Sequence, residues 1–225
     1  MLTRKAAARA ALLFLLTASL APALGQGSRA QKPYQQWTIS DVLHVLHNPP
    51  WAQTAGGVGD SYMLTARLFS ARPIRQALVR QRQLMMNYDK LGEADRARFD
   101  ADMRAFLDCA DCSKFYVVTL SGRTPGGLTR TLGRLPLDEL RRRVHLTNER
   151  GESRPLSHVR ASEGLEPVVM FAFERFDEKG APLFTAGNKH LHFKLDDKLF
   201  EKELISLRKF TFEVRRLSEN GEVIF

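Results

Sequence analysis

Only two side chains in this 225-residue chain can carry thiol chemistry, and they share one short motif, Cys109-Ala-Asp-Cys112. That spacing suits a local disulfide. It also suits thiol–disulfide exchange, whose nucleophile is a thiolate with a lowered pKa, commonly at a helix N-terminus. Here a helix expected over 93–107 ends at the pair and a strand expected over 115–120 follows it. The helix dipole would therefore present its negative end. Asp108 and Asp111 add negative charge, which raises a thiol pKa rather than lowering it. The motif reads as a structural disulfide, Cys109 to Cys112, pinning a helix-to-strand turn, with a redox role as the alternative. A haem attachment would need histidine after the second cysteine, and Ser113 stands there.

Histidine offers two pairs. His190-Leu-His192 would project both rings to one face of a strand, a spacing that suits a metal ion. His44 and His47 would share a helix face. Neither pair has a third ligand at a tell-tale spacing, so His190 and His192 are candidate metal ligands of a weak site. For nucleophilic catalysis there is no Gly-x-Ser-x-Gly motif. The glycine-bearing stretches around Gly56 and Gly126 lack the lysine of a phosphate cradle and read as connectors. Neighbouring carboxylates such as Asp100 and Asp102 or Glu201 and Glu203 read as solvated faces. No cofactor is expected.

Charge points to the class of partner. The chain has 34 Lys and Arg against 25 Asp and Glu, a formal +9. Loss of Arg4, Lys5 and Arg9 with an export signal would leave 31 against 25, or +6. Such an excess favours an acidic protein or an anionic envelope polymer. Arg72, Arg75, Arg80 and Arg82 form one cluster on an expected helix and are candidate partner contacts, and Arg141–Arg143 form another. Neither is interleaved with aromatic residues, so a nucleic-acid partner is not expected.

The elements that must hold these residues follow from periodicity and punctuation. Residues 1–25 read as a signal peptide, with a basic start, an apolar stretch from Ala10 to Leu20 and small residues at Ala21-Pro22-Ala23 or Ala23-Leu24-Gly25. The apolar stretch is shorter than the ~20 residues that span a bilayer, so no membrane span is expected after cleavage. Retention as an anchor is the alternative. Residues 26–33 are a flexible lead-in. Thr38 or Ser40 caps a helix carrying Ile39, Val42, Leu43 and Leu46, stopped by Asn48-Pro49-Pro50. Residues 54–60 read as a loop, and 62–69 alternate as a strand. Ser70-Ala71-Arg72-Pro73 starts a helix running to about Tyr88, with Ile74, Ala77, Leu78, Leu84 and Met85 as its apolar positions. The helix at 93–107 shows Phe99, Met103, Phe106 and Leu107, and a loop at 121–127 and a short helix at 137–143 complete this half. Strands are expected at 144–147, 156–160, 167–176, 183–185, 190–195 and 209–217, and Ser218-Glu-Asn-Gly221 is a tight turn.

The segment QWTISDVLHVLHNPPWAQT, followed by a strand and SARPIRQAL, resembles an uncharacterised family of exported bacterial proteins. Those proteins carry a tryptophan-led short helix ending in Pro-Trp-Ala, a Ser-Ala-x-Pro-x-Arg helix start and a β-rich end. The resemblance covers residues 34–90 in motif terms. It implies export and an α+β fold, and transfers no site. The expected architecture is α+β, a helix-rich N-terminal half (34–143) packed on a C-terminal antiparallel sheet or small sandwich (144–225), as two parts or one continuous domain. The expected function is that of a non-enzymatic binding module of the cell envelope or extracellular space, placed in the periplasm or outside the cell. The alternative is thiol–disulfide or metal-dependent activity at Cys109/Cys112 or His190/His192.

Overall fold

Thr38 and Asp41 open the first helix by satisfying each other's end of the chain. In the computed structural model the Asp41 amide donates to Thr38 Oγ1 (3.2 Å), and the Thr38 amide donates to Asp41 Oδ2 (3.0 Å). This reciprocal cap starts α1 (Ile39–His47), and Asn48 and the prolines after it end the helix. Pro73 occupies the first turn of α2 (Arg72–Met85), where its missing amide is no loss. α3 (Glu93–Asp108) begins with Glu93 and Asp95, whose charges suit a helix start. α4 (Leu128–Arg134) and α5 (Leu137–Arg143) follow. The structure describes residues 32–56, 62–123, 127–162, 168–185, 187–199, 209–213, 218–219 and 222–223. The signal-peptide reading of 1–25 and most of the lead-in lie outside them. Residues 32–225 form one compact unit.

Two antiparallel sheets complete an α+β fold. The first has five strands in the order β1 (Ala52–Gly56), β2 (Met63–Leu68), β3 (Phe115–Arg123), β7 (Val168–Glu174) and β6 (Leu156–Ser162). The second has β5 (Ser153–Arg154), β4 (Val144–Asn148), β8 (His190–Leu195) and β9 (Lys209–Glu213). A small hairpin pairs β10 (Ser218–Glu219) with β11 (Glu222–Val223), and the tight-turn residues 220–221 lie outside the described set. Among the described residues every α-helix precedes residue 144 and most strands follow it, as the α+β reading required. The five-stranded sheet, however, draws β1–β3 from before that point and β6–β7 from after it.

The sheets meet through phenylalanines. Phe171 and Phe173 of β7 lie 5.3 and 6.2 Å from Phe193 of β8, ring centre to ring centre. Phe193 also lies 6.2 Å from Phe210 of β9. All four are fully buried, so the alternation of β7, β8 and β9 sends their bulk into one shared core. Gly133 of α4 lets that helix press close to β6, because an added Cβ would sit 2.6 Å from Ala161 Cβ.

The structure departs from the sequence pattern at several places. Residues 52–56, mostly read as loop, are the edge strand β1, which needs a partner on one side only and pairs along its whole length with β2. β3 continues through 121–123, also read as loop, because its last residues pair with β2. α4 was not anticipated. Residues 183–185 are not a strand: Leu183 and Phe184 are buried as loop, and the Phe184 amide donates to Tyr116 Oη (3.2 Å). Met85, placed on the apolar face of α2, is 77% exposed, as are the α1 residues Ile39 and Leu43 in large part.

Candidate functional site

Opposite residues of paired strands point to the same side of a sheet. Register therefore places Thr54 beside Thr65, Thr65 beside Ser121, and Met63 beside Arg123. Leu64, Ala66, Val118 and Leu120 point the other way, into the core. Across β1–β3 the sheet thus has one apolar face and one face rich in hydroxyls and arginine.

Helix α1 is tied to this polar face. Arg67 Nε donates to the Leu46 carbonyl (2.7 Å) at the helix end, and Arg67 Nη1 donates to Ser121 Oγ (2.7 Å) on the next strand. Thr54 Oγ1 donates to the His47 carbonyl (3.1 Å) and lies 3.0 Å from Thr65 Oγ1 and 3.5 Å from His47 Nδ1. Between these groups, α2 and the start of α4 opens a cleft of about 830 Å³. Its polar lining is His47, Thr65, Arg67, Gln81, Ser121, Arg123, Thr129 and Arg130. Arg123 and Arg130 are exposed, while Thr65, Ser121 and Thr129 are buried at the cleft wall. Among the described lining residues there is no carboxylate. Such a cleft offers cations and hydrogen-bond donors to an anion, and charge-assisted bonds of this kind are about twice as strong as neutral ones.

A second recess of about 320 Å³ contrasts with it. There Arg80 and Arg104 face Asp89, Asp100 and Asp108, so its charges are mixed. The Tyr88 hydroxyl donates to Asp100 Oδ2 (2.7 Å), which holds that phenol above its ordinary pKa.

The four arginines singled out on α2 do not make one surface. Arg72 and Arg82 are exposed. Arg80 Nε donates to the Trp37 carbonyl (2.9 Å), helping to seat the N-terminal segment. Arg75, expected as a partner contact, is 2% exposed and points inward. It is therefore no contact for an outside partner in this fold. Its position carried a signal: it falls four residues after Ala71 and three before Leu78, on the apolar stripe of the helix.

His190 and His192 do share a face, their rings 5.9 Å apart and tilted by 16°. His192 Nδ1 lies 3.1 Å from Thr211 Oγ1. Burial, with Lys209, Lys194 and His190 nearby, brings His192 down to about 4. Among the described residues no three His, Cys, Asp or Glu side chains converge as a metal site. His44 is exposed, and His47 alone of its pair lines the cleft.

Cys109 and Cys112 are bonded, and they span the turn between α3 and β3. Cys109 ends α3 in the left-handed region (φ 45°) and is half-buried, whereas Cys112 is 3% exposed. Two guanidinium groups reach Cys112: Arg75 Nη1 donates to its Sγ (3.4 Å) and Arg175 Nη1 to its carbonyl (3.1 Å).

The cleft residues Arg67, Ser121, Arg123 and Arg130 were not anticipated as a set. Alternation within 63–68 shows that Thr65 and Arg67 share a face, but their meeting with Ser121 and Arg123 depends on long-range register. No family model, curated protein or solved structure matches this chain.

Proposed function

We propose that this chain is an exported, non-enzymatic binding module that captures an anionic segment of its partner in the cleft over the polar sheet face. The observation that carries the reading is the cleft's composition: Arg67, Arg123 and Arg130 beside His47 and three hydroxyl-bearing residues, with no carboxylate among the described lining residues. A volume of about 830 Å³ suits a ligand of several polar groups rather than a single ion. The basic balance of the whole chain would draw such a ligand in from a distance.

Export is supported by the composition of residues 1–25 and by the disulfide, a bond that persists in oxidising compartments. Among the described residues no helix is long and apolar enough to cross a membrane. The test is calorimetric titration of the purified protein with poly-glutamate, with polylysine as the opposite-charge control. Binding of poly-glutamate that weakens steeply as salt rises supports the reading. Absence of binding at low salt, or equal binding of both polymers, rejects it.

A further inference from the structure

The electrostatics around the disulfide differ from those its sequence neighbours suggest. Asp108 and Asp111, the acidic residues of the motif, are exposed, so water and salt screen them. Arg75 is not screened in this way. It is buried, and its hydrogen bonds go to the carbonyls of Leu107 (2.9 Å), Phe69 (3.2 Å) and Ser70 and to Cys112 Sγ. Among the described residues no carboxylate hydrogen-bonds to it. Burial brings this guanidinium down to about 10, with Arg72 adding to the effect and Asp108 opposing it. A buried cation held only by neutral acceptors is costly, and an anion placed against it would relieve that cost.

Reduction of the disulfide creates such an anion at the sulfur Arg75 already touches. We propose that Cys109–Cys112 is an exchangeable disulfide, in which a thiol-bearing partner attacks Cys109 Sγ and Cys112 leaves as a thiolate held by Arg75. The two residues are unequal in the required sense, since Cys109 is half-buried and Cys112 is enclosed. In the first step the partner's thiolate forms a bond to Cys109 Sγ. The Cys109–Cys112 bond breaks, and its electron pair stays on Cys112. In the second step another thiolate of the partner attacks the partner's sulfur in the mixed disulfide, and Cys109 departs as a thiolate and takes a proton from water. The partner's two thiols are oxidised to a disulfide and the protein's pair is reduced. A leaving thiol of lower pKa departs faster, which is the role of Arg75. Arg175 donates to the Cys112 carbonyl and lies 5.7 Å from the Tyr116 ring centre, a second positive charge next to this residue.

The test begins with the Cys109→Ser variant, which leaves Cys112 as the sole thiol. Its ionisation is followed by thiolate absorbance in the folded and the denatured protein. Burial alone would lift Cys112 above the ordinary thiol value of about 8.5, whereas the Arg75 contact lowers it. The expected result is a folded-state value at least one unit below the denatured one, and an equal or higher value overturns the proposal. The rate of reduction by dithiothreitol is then compared between the unmodified protein and Arg75→Met. The expected loss is at least tenfold, and equal rates in two folded proteins overturn the proposal. Should Arg75→Met fail to fold, the Cys112 ionisation in the Cys109→Ser protein decides alone, and a folded-state value equal to or above the denatured one overturns the proposal.

Discussion

Arg67 is the residue on which fold and cleft both depend, and its replacement by methionine should be costly in a measurable way. Two hydrogen bonds of 2.7 Å are lost at once, one to the end of α1 and one to Ser121 of β3. Hydrogen bonds from charged groups contribute about 1.5–3 kcal/mol each, and Arg67 is half-buried, so the lower end applies and the loss is about 3 kcal/mol. That is a large part of a total stability of about 5–15 kcal/mol. Ser121→Ala removes only one of the two bonds and should cost about 1.5 kcal/mol. Combined in a double-mutant cycle, the two changes should couple by about 1–2 kcal/mol, because the Arg67–Ser121 bond can be lost only once. Urea unfolding of the four proteins, read as midpoints at constant slope, provides these values. Additivity within about 0.5 kcal/mol, or a loss below about 1 kcal/mol for Arg67→Met, would refute the reasoning.

Three further predictions concern the frame around the cleft. Phe193→Ala, at the meeting of both sheets, should cost about 3–5 kcal/mol in urea unfolding. A loss under about 1.5 kcal/mol would mean that the sheets do not pack through this ring. Gly122 has φ 128°, and an added Cβ would lie 2.0 Å from the Met63 carbonyl oxygen, so Gly122→Ala should destabilise by at least about 2 kcal/mol and loosen the cleft. Amide hydrogen exchange of β2 and β3 would show the change, and unaltered protection would contradict it. His192, held near 4 against an ordinary 6.5, takes up its proton more readily when the chain unfolds. Its contribution is therefore complete above about pH 6.5 and is lost as pH falls towards about 4, by about 1–2 kcal/mol after discounting its partial exposure. His192→Gln should flatten unfolding free energy over that window, and an unchanged slope would exclude His192 as the cause.

Local grammar carried much of the architecture. α1 was legible because Thr38 caps it and prolines stop it, and β8 was legible from its alternation. β1 was hidden because Ala52, Ala55 and Gly56 are types depleted in strands, and only pairing with β2 makes the segment a strand. α4 is seven residues long, too short for a periodic pattern to declare itself. The site was less legible than the fold. Arg75 stands in a series of arginines in the chain, yet the carbonyls of Phe69, Ser70 and Leu107 that receive it are brought together by tertiary packing. Arg67 and Ser121 stand 54 residues apart, and no local spacing predicts their contact. The acidic flanks of Cys109 and Cys112 were visible in the chain, while the arginines that face Cys112 came from elsewhere in it.

Anion capture by the cleft is tested most directly by the affinity of an Arg123→Glu, Arg130→Glu double variant for poly-glutamate at low salt. Both side chains are exposed at the cleft and neither supports the core, so the variant should fold with its midpoint nearly unchanged. Affinity should fall at least about tenfold, since each reversal removes an attractive contact and adds a repulsive one. Affinity equal to that of the unmodified protein would contradict the account and place the anion elsewhere.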